Sequence, residues 1–338
     1  MSKWKLIAII SSSTVGAIAL SLFALAVISR KVYRRSLMAT LVVVFLRLTV
    51  RHKSDSQVEH DIKYLPLKND VPYDVPRQVR TRKQHKYDFD GMTVFGVNMT
   101  DGAGRVVVYL HGGGYVRQPR LHHWKYINKL AKEVGNVVVP VYPKAPNHHP
   151  KEVVELMTKL YCELCQKYST VVLMGDSSGG GLALALCQHW TKTDIPQPAK
   201  TILFSPWVDL TLSNPEIEHY QKLDPLISAK SERIWAKCWS QDMDVTDPLI
   251  SPIYGKLNKL GSIVLYSGDR EILYPDLRKL YDTMLEQGTD VSFRVGQGMN
   301  HVYQVYPIPE ARRALKEVVQ DIDNASQGEQ VVKQKRAE

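Results

Sequence analysis

Residues 170–181 read TVVLMGDSSGGG: a β-branched, wholly apolar run that breaks into an acid, two serines and three glycines. Five apolar or β-branched residues followed at once by flexible ones describe a buried strand ending in a tight turn. The turn has the form G-x-S-x-G, with Gly175, Ser177 and Gly179 at the fixed places. A nucleophile at a sharp strand-to-helix turn sits in a strained backbone with its oxygen lifted above the sheet. Side chains two residues to either side would collide, so both neighbours are glycine. Framing the motif on Ser178 would put Asp176 where the first glycine must be, which selects Ser177.

Outward from this turn the pattern is regular. Short β-branched runs recur as RVVVYL (105–110), NVVVPVY (136–142), TILFSP (201–206), SIVLYSG (262–268) and VSFRVG (291–296), after a first strand near Lys86–Asn98. Between them the spacing predicts helices over about 121–134, 150–168, 178–191, 228–241, 274–288 and 308–322. Continuously apolar strands alternating with helices imply an α/β fold with a mostly parallel central sheet covered on both faces. Ligands in such sheets bind at the carboxyl ends of the strands. The segment from about 211 to 250 interrupts the rhythm and reads as a cap insertion. The polar stretch 324–338 reads as a disordered tail.

A second glycine cluster follows the strand at 106–110: VVVYLHGGGYV, with Gly112, Gly113 and Gly114 after His111. Glycines let a backbone turn its amides inward and approach a substrate closely. Preorganised N–H groups of this kind stabilise the oxyanion of a tetrahedral intermediate, and removing one donor typically costs about 2.7–4 kcal/mol. The Ser178 amide, opening the helix after the turn, is a further candidate donor.

The two motifs together resemble the hormone-sensitive-lipase family of α/β-hydrolases, with its bacterial family IV carboxylesterases and arylacetamide-deacetylase-like relatives. VYPKAPNHHP (141–150) is similar to the family's Y-x-x-A-P-x-H-P stretch, and SPWVDL (205–210) to its S-P-W-x-D-L. The resemblance covers roughly residues 90–322. It implies an α/β-hydrolase fold with an N-terminal cap, no cofactor, and hydrolysis of small to medium hydrophobic carboxylic esters through an acyl-enzyme. In this fold the acid and then the base follow the serine in chain order. His301, in the loop of GQGMNHVYQVYPIP after the last strand, stands at the family's place for the base. For the acid there are two candidates in SIVLYSGDREILYPD. Alignment with the family's G-x-x-D-x-L selects Glu271, where most members have Asp, and Asp269 remains the alternative. Tyr115 and Trp207, beside the two motifs, are candidate walls of a hydrophobic substrate pocket. A peptidase or amidase on the same fold, and a non-catalytic binding protein on a hydrolase scaffold, are the competing classes.

Composition narrows the field further. The 338 residues carry a formal charge of +10, and of this residues 1–90 contribute 16 Lys and Arg against 7 Asp and Glu. A basic front end on a near-neutral body suits a membrane surface rather than a nucleic-acid groove, and no zinc-finger or RNA-binding signature accompanies it. The 24 residues from Leu6 to Ser29 are uncharged. As a helix they would be about 36 Å long, enough to cross a hydrocarbon core of about 30 Å. With RKVYRR (30–35) directly behind, residues 1–35 read as a retained anchor with a basic flank rather than a cleaved leader. Arg30, Lys31, Arg34 and Arg35 after the span, against Lys3 and Lys5 before it, place the body on the cytoplasmic side by the positive-inside rule. Residues 36–85 read as a cap helix, interfacial or packed over a pocket, and a linker; residues 86–323 form the catalytic domain.

Four cysteines, Cys162, Cys165, Cys187 and Cys238, make no disulfide framework. Cys162 and Cys165 fall in EVVELMTKLYCELCQKY, an amphipathic helix that buries or half-buries them. The histidines of RLHHW (120–124) and NHHP (147–150) lack metal-ligand spacing and read as surface or pocket-rim residues, so no metal site is expected.

Overall fold

The structure, a computed structural model, describes residues 20–50, 55–69, 71–100 and 104–337. Eight strands, β1 Gln84–Phe89, β2 Met92–Val97, β3 Arg105–Leu110, β4 Val137–Pro140, β5 Thr170–Asp176, β6 Lys200–Phe204, β7 Ile263–Gly268 and β8 Val291–Gly296, form one sheet in the order β1-β2-β4-β3-β5-β6-β7-β8. Strands β3 to β8 run parallel, and only the β1–β2 and β2–β4 pairs are antiparallel. Helices α1 Leu37–Thr49 and α2 Asp55–Asn69 precede the sheet. Then follow α3 Leu121–Val134, α4 Pro150–Lys167, α5 Ser178–Lys192, α6 Ile217–Leu223, α7 Ala229–Ser240, α8 Tyr274–Glu286 and α9 Pro309–Ala337.

Every residue of β5 and β7 is buried. Alternate side chains of the parallel strands feed two separate apolar clusters: Val106, Val108 and Leu173 lie in one, Val107, Tyr109 and Met174 in the other. A strand flanked by core on both faces needs no polar side, which is why these segments read as unbroken apolar runs. Each fully buried Val or Leu contributes about 1.5–3 kcal/mol of transfer free energy. The helices lay single stripes on these faces. In α9 the stripe is Ala311, Ala314, Val318 and Ile322, and in α4, where Cys162 and Cys165 are half-buried, it is Val153, Val154, Met157, Leu160 and Leu164.

Three segments differ from expectation. The first strand is a hairpin, β1–β2, turned at Asp90-Gly91 with φ of 47° and 82°. An Asp-Gly pair with both φ positive is the favoured two-residue hairpin turn. Within the expected linker, residues 55–69 are helical, because Val58, Ile62 and Leu65 make one apolar stripe that packs into the core despite the polar average of the segment. The backbone of α9 is helical to Ala337, through the stretch whose composition suggests a disordered tail; its Ala, Gln, Glu and Lys residues are good helix formers.

Of the expected membrane span Leu6–Ser29, residues 1–19 lie outside the described residues; residues 20–31 are helical. Among the described residues no helix is long and apolar enough to cross a membrane. The chain leaving this segment is tied to the body. Arg35, buried, donates to the Gly298 carbonyl at 3.1 Å and to Thr40 at 3.1 Å, and the Ser36 amide donates to Glu310 at 2.7 Å. Helix α1 then packs Ala39, Thr40, Val43 and Leu46 onto the body, so Thr40 belongs to its inner face.

The β5–α5 turn is packed backbone against backbone. A Cβ at Gly175 would lie 2.4 Å from the Gly179 carbonyl oxygen, and one at Gly179 would lie 2.2 Å from the Leu110 carbonyl oxygen. Neither neighbour can rotate away. Gly179→Ala is therefore expected to cost at least about 3 kcal/mol of stability, measured by urea unfolding. Gly91→Ala, at a positive φ with open space around it, should cost about 1 kcal/mol.

Candidate active site

The site lies where four parallel strands end. The loop after β3 carries Gly112–Gly114, the turn after β5 carries Ser177, the loop after β7 carries Glu271, and the loop after β8 carries His301. Ser177 has φ 51° and ψ −122°, a region that L-residues rarely occupy and that costs of order 1–3 kcal/mol. Surrounding bonds impose it: its N–H donates to the Phe204 carbonyl at 2.9 Å, and its carbonyl accepts from Gly181 at 3.0 Å and Trp207 at 2.9 Å.

The structure brings Ser177, His301 and Glu271 into one chain of hydrogen bonds. Ser177 Oγ lies 3.0 Å from His301 Nε2, and His301 Nδ1 bonds Glu271 Oε2. With Nδ1 donating to the carboxylate, Nε2 is the acceptor that faces the serine hydroxyl. Glu271 is fully buried, and its other oxygen accepts from Ser205 Oγ at 2.8 Å, from Gly268 N at 2.9 Å and from Ser267 Oγ. Burial disfavours charge on His301, but the charge and hydrogen bond of Glu271, with the charges of Asp224 and Glu232, together outweigh it. The imidazole pKa therefore lies above its ordinary 6.5.

Asp269 goes elsewhere. Its Oδ1 accepts from the Gly298 amide at 2.7 Å and so anchors the loop that carries His301. Two residues along an irregular loop separate the candidates, and only the path of the loop turns one inward.

Gly113 and Gly114 have φ of 135° and 64°, and their amides donate to no group among the described residues. Ser178 opens α5, so its N–H has no carbonyl within the helix. Gly112 admits no side chain at all: a Cβ there would meet Asp176 Oδ2 at 2.3 Å and Ser177 Cβ at 3.0 Å.

Tyr115 and Trp207 do not line the cavity. Tyr115 stacks on Trp239 with ring centroids 4.5 Å apart, and Trp207 donates its indole N–H to the Asp209 carbonyl at 2.9 Å. Both rings are sealed in the core beneath the site. The cavity over Ser177, of about 290 Å³, is walled instead by Val50 and Val58 of the N-terminal cap, Leu226, Ile227 and Trp235 of the insertion, and Val305. Polar groups enter it from Arg117, stacked 4.6 Å above Trp235, and from Glu232, whose pKa burial pushes up to about 7.

Several residues here were not singled out from the sequence. Asp224, buried, accepts from the Leu226 and Ile227 amides at 2.8 and 3.1 Å and from Ile272 N at 3.1 Å, tying the cavity wall to the residue after Glu271. Nothing in its local pattern marks it. Ser205 also accepts from Val302 N at 3.1 Å, bridging the loops of Glu271 and His301, and its signal was the S-P-W motif. Both histidines of RLHHW border the cavity, as the pocket-rim reading expects, and His123 is 4% exposed. The Arg120 amide donates to His123 Nδ1 at 2.9 Å, so Nε2 carries the hydrogen towards Asp176 Oδ2, 3.3 Å away. Tyr109 donates to Asp176 Oδ1 at 2.8 Å. Burial alone would raise the Asp176 pKa, but His123 and the Tyr109 hydroxyl hold it at about 2. Among the described residues no cluster of His, Cys, Asp or Glu is arranged to hold a metal.

Comparison with known proteins agrees with the fold. The profile of the alpha/beta hydrolase fold family matches residues 107–305. An acetyl-hydrolase of Streptomyces hygroscopicus is 31% identical over 63% of this chain and 73% of its own length. A triacylglycerol lipase of Mycobacterium tuberculosis is 31% identical over 61% of this chain, but the match spans only 43% of that larger protein. A hormone-sensitive lipase from a metagenome library superposes with a TM-score of 0.72 at 25% identity, over 85% of this chain and 98% of its own. The chain belongs to the α/β-hydrolase fold family.

Removing His123 would leave the buried Asp176 carboxylate, beside the Ser177 turn, with Tyr109 as its side-chain donor. His123→Ala is expected to lose about 1–3 kcal/mol in urea unfolding, and adding Asp176→Asn should restore part of it.

Proposed function

We propose that this protein is a serine hydrolase of carboxylic esters, with Ser177 as nucleophile, His301 as general base and acid, and Glu271 as the group that orients His301. The observation that carries the reading is the 3.0 Å contact of Ser177 Oγ with His301 Nε2 while Nδ1 is engaged by a buried carboxylate. In the first step Ser177 Oγ attacks the ester carbonyl as its proton passes to Nε2. The oxyanion is stabilised by the amides of Gly113, Gly114 and Ser178, with Gly112 shaping the loop. The imidazolium returns its proton to the departing alcohol oxygen, leaving an acyl-serine. Water then attacks the acyl carbon with His301 again taking the proton, and the acid leaves. No cofactor takes part.

The apolar walls and the volume of about 290 Å³ support small to medium hydrophobic acyl chains. The names of the relatives, acetyl-hydrolase and triacylglycerol lipase, support ester chemistry. The uncharged run Leu6–Ser29 supports a membrane anchor. Arg35 is withdrawn into the body, yet Arg30, Lys31 and Arg34 still outnumber Lys3 and Lys5, which supports a cytoplasmic body.

Full-length protein should hydrolyse p-nitrophenyl butyrate, and Ser177→Ala should reduce turnover by roughly 10³–10⁶-fold with unchanged circular dichroism. Retained turnover in that variant would end the assignment. Because the imidazole must be neutral to accept the serine proton, kcat/KM should fall as pH drops through a value above 6.5. Glu271→Gln removes the charge that raises the His301 pKa, so the acid limb should move to lower pH while kcat falls. Asp269→Asn should leave the limb in place.

A further inference from the structure

Helix α1 is apolar on two opposite sides. Ala39, Val43 and Leu46 are buried against the body, whereas Met38, Leu41, Val44, Phe45 and Leu48 are 43–77% exposed. At 100° per residue the exposed set spans an arc of about 120°, centred opposite the buried set. A helix packed on a water-soluble domain normally turns charged or polar residues outward. The helical segment 20–31 that leads into it exposes Leu20, Leu22, Phe23, Val27 and Ile28 as well. Contiguous apolar surface on this scale marks a docking site.

Charge indicates the occupant. The first 54 residues contain no Asp or Glu, and the exposed cations Arg30, Lys31, Arg34 and Arg47 border the apolar side chains. Apolar side chains bordered by cations suit the boundary between acyl chains and phosphate headgroups. They suit a second copy of the chain poorly, since a two-fold contact would set these cations against their own kind. Val50, immediately after α1, lines the cavity over Ser177, so the exposed surface runs on into the wall of the site.

We propose that the outer face of α1 inserts into the headgroup–acyl boundary of a glycerophospholipid bilayer, and that the cavity draws its ester substrates from that layer. The second half rests on the ester-hydrolase reading above; the first half does not.

The test uses the full chain in vesicles of phosphatidylcholine and phosphatidylserine containing a diazirine phospholipid. After photolysis, the tryptic peptide Ser36–Arg47 should carry a lipid adduct. A Leu41→Gln/Phe45→Gln/Leu48→Gln variant should hydrolyse water-soluble p-nitrophenyl butyrate within twofold of wild type, but a long-chain p-nitrophenyl ester in the vesicles at least tenfold more slowly. Adducts confined to the segment before residue 30, or a 36–47 peptide cross-linked to a second copy, would overturn the docking. Unchanged or equally reduced rates on both esters would overturn delivery from the layer. A wild type inactive on both esters would refute the hydrolase reading and the delivery built on it, and the adduct would then decide the docking alone.

Discussion

The arrangement of the site depends on backbone packed directly against backbone where β5 turns into α5. Carbonyl oxygens of Gly179 and Leu110 occupy the space where Gly175 and Gly179 would carry side chains. That closeness forces Ser177 into a positive φ and lifts its hydroxyl off the sheet. The same crowding reaches the neighbouring loop, because Gly112 lies against Asp176 and Ser177. One steric constraint thus sets both the Ser177 turn and the position of the glycine loop beside it.

Hydrogen bonds then hold the crowded backbone in a single arrangement. Asp176 is fixed by Tyr109 from β3 and His123 from α3, which locks the turn to the elements on either side of the glycine loop. Glu271 is bound from β7, from the loop after β6 and by His301 itself. Buried polar groups are costly unless satisfied, so these networks admit few alternatives once formed. Asp224 extends the order outward by joining the cavity wall to the Glu271 loop. The electrostatic result is an imidazole surrounded by carboxylates, with its pKa raised despite burial.

Much of this was legible in the chain. β3 and β5 appear as unbroken apolar runs because both faces of the sheet are covered, and Ser177 stands out because glycine at both flanking places has a steric cause. Other features were hidden by averaging. The stripe Val58, Ile62, Leu65 is diluted by polar residues, so α2 looked like a linker, and the Asp-Gly turn of β1–β2 was passed over inside a longer strand pattern. Tyr115 and Trp207 adjoin the two motifs in sequence yet point into the core, since proximity along a turning backbone does not determine the side a ring faces.

The sequence by itself determined the fold and the glycine-flanked turn at Ser177, because strand burial and the glycine requirement are local demands that each residue meets or fails alone. The family resemblance added the expectation of an acid and a histidine in later loops. Which carboxylate meets His301, and that His123 rather than a surface position pairs with Asp176, were decided only by the tertiary structure. Those contacts join residues 30 and 53 positions apart, through loops whose direction is set by what they pack against and not by their own composition.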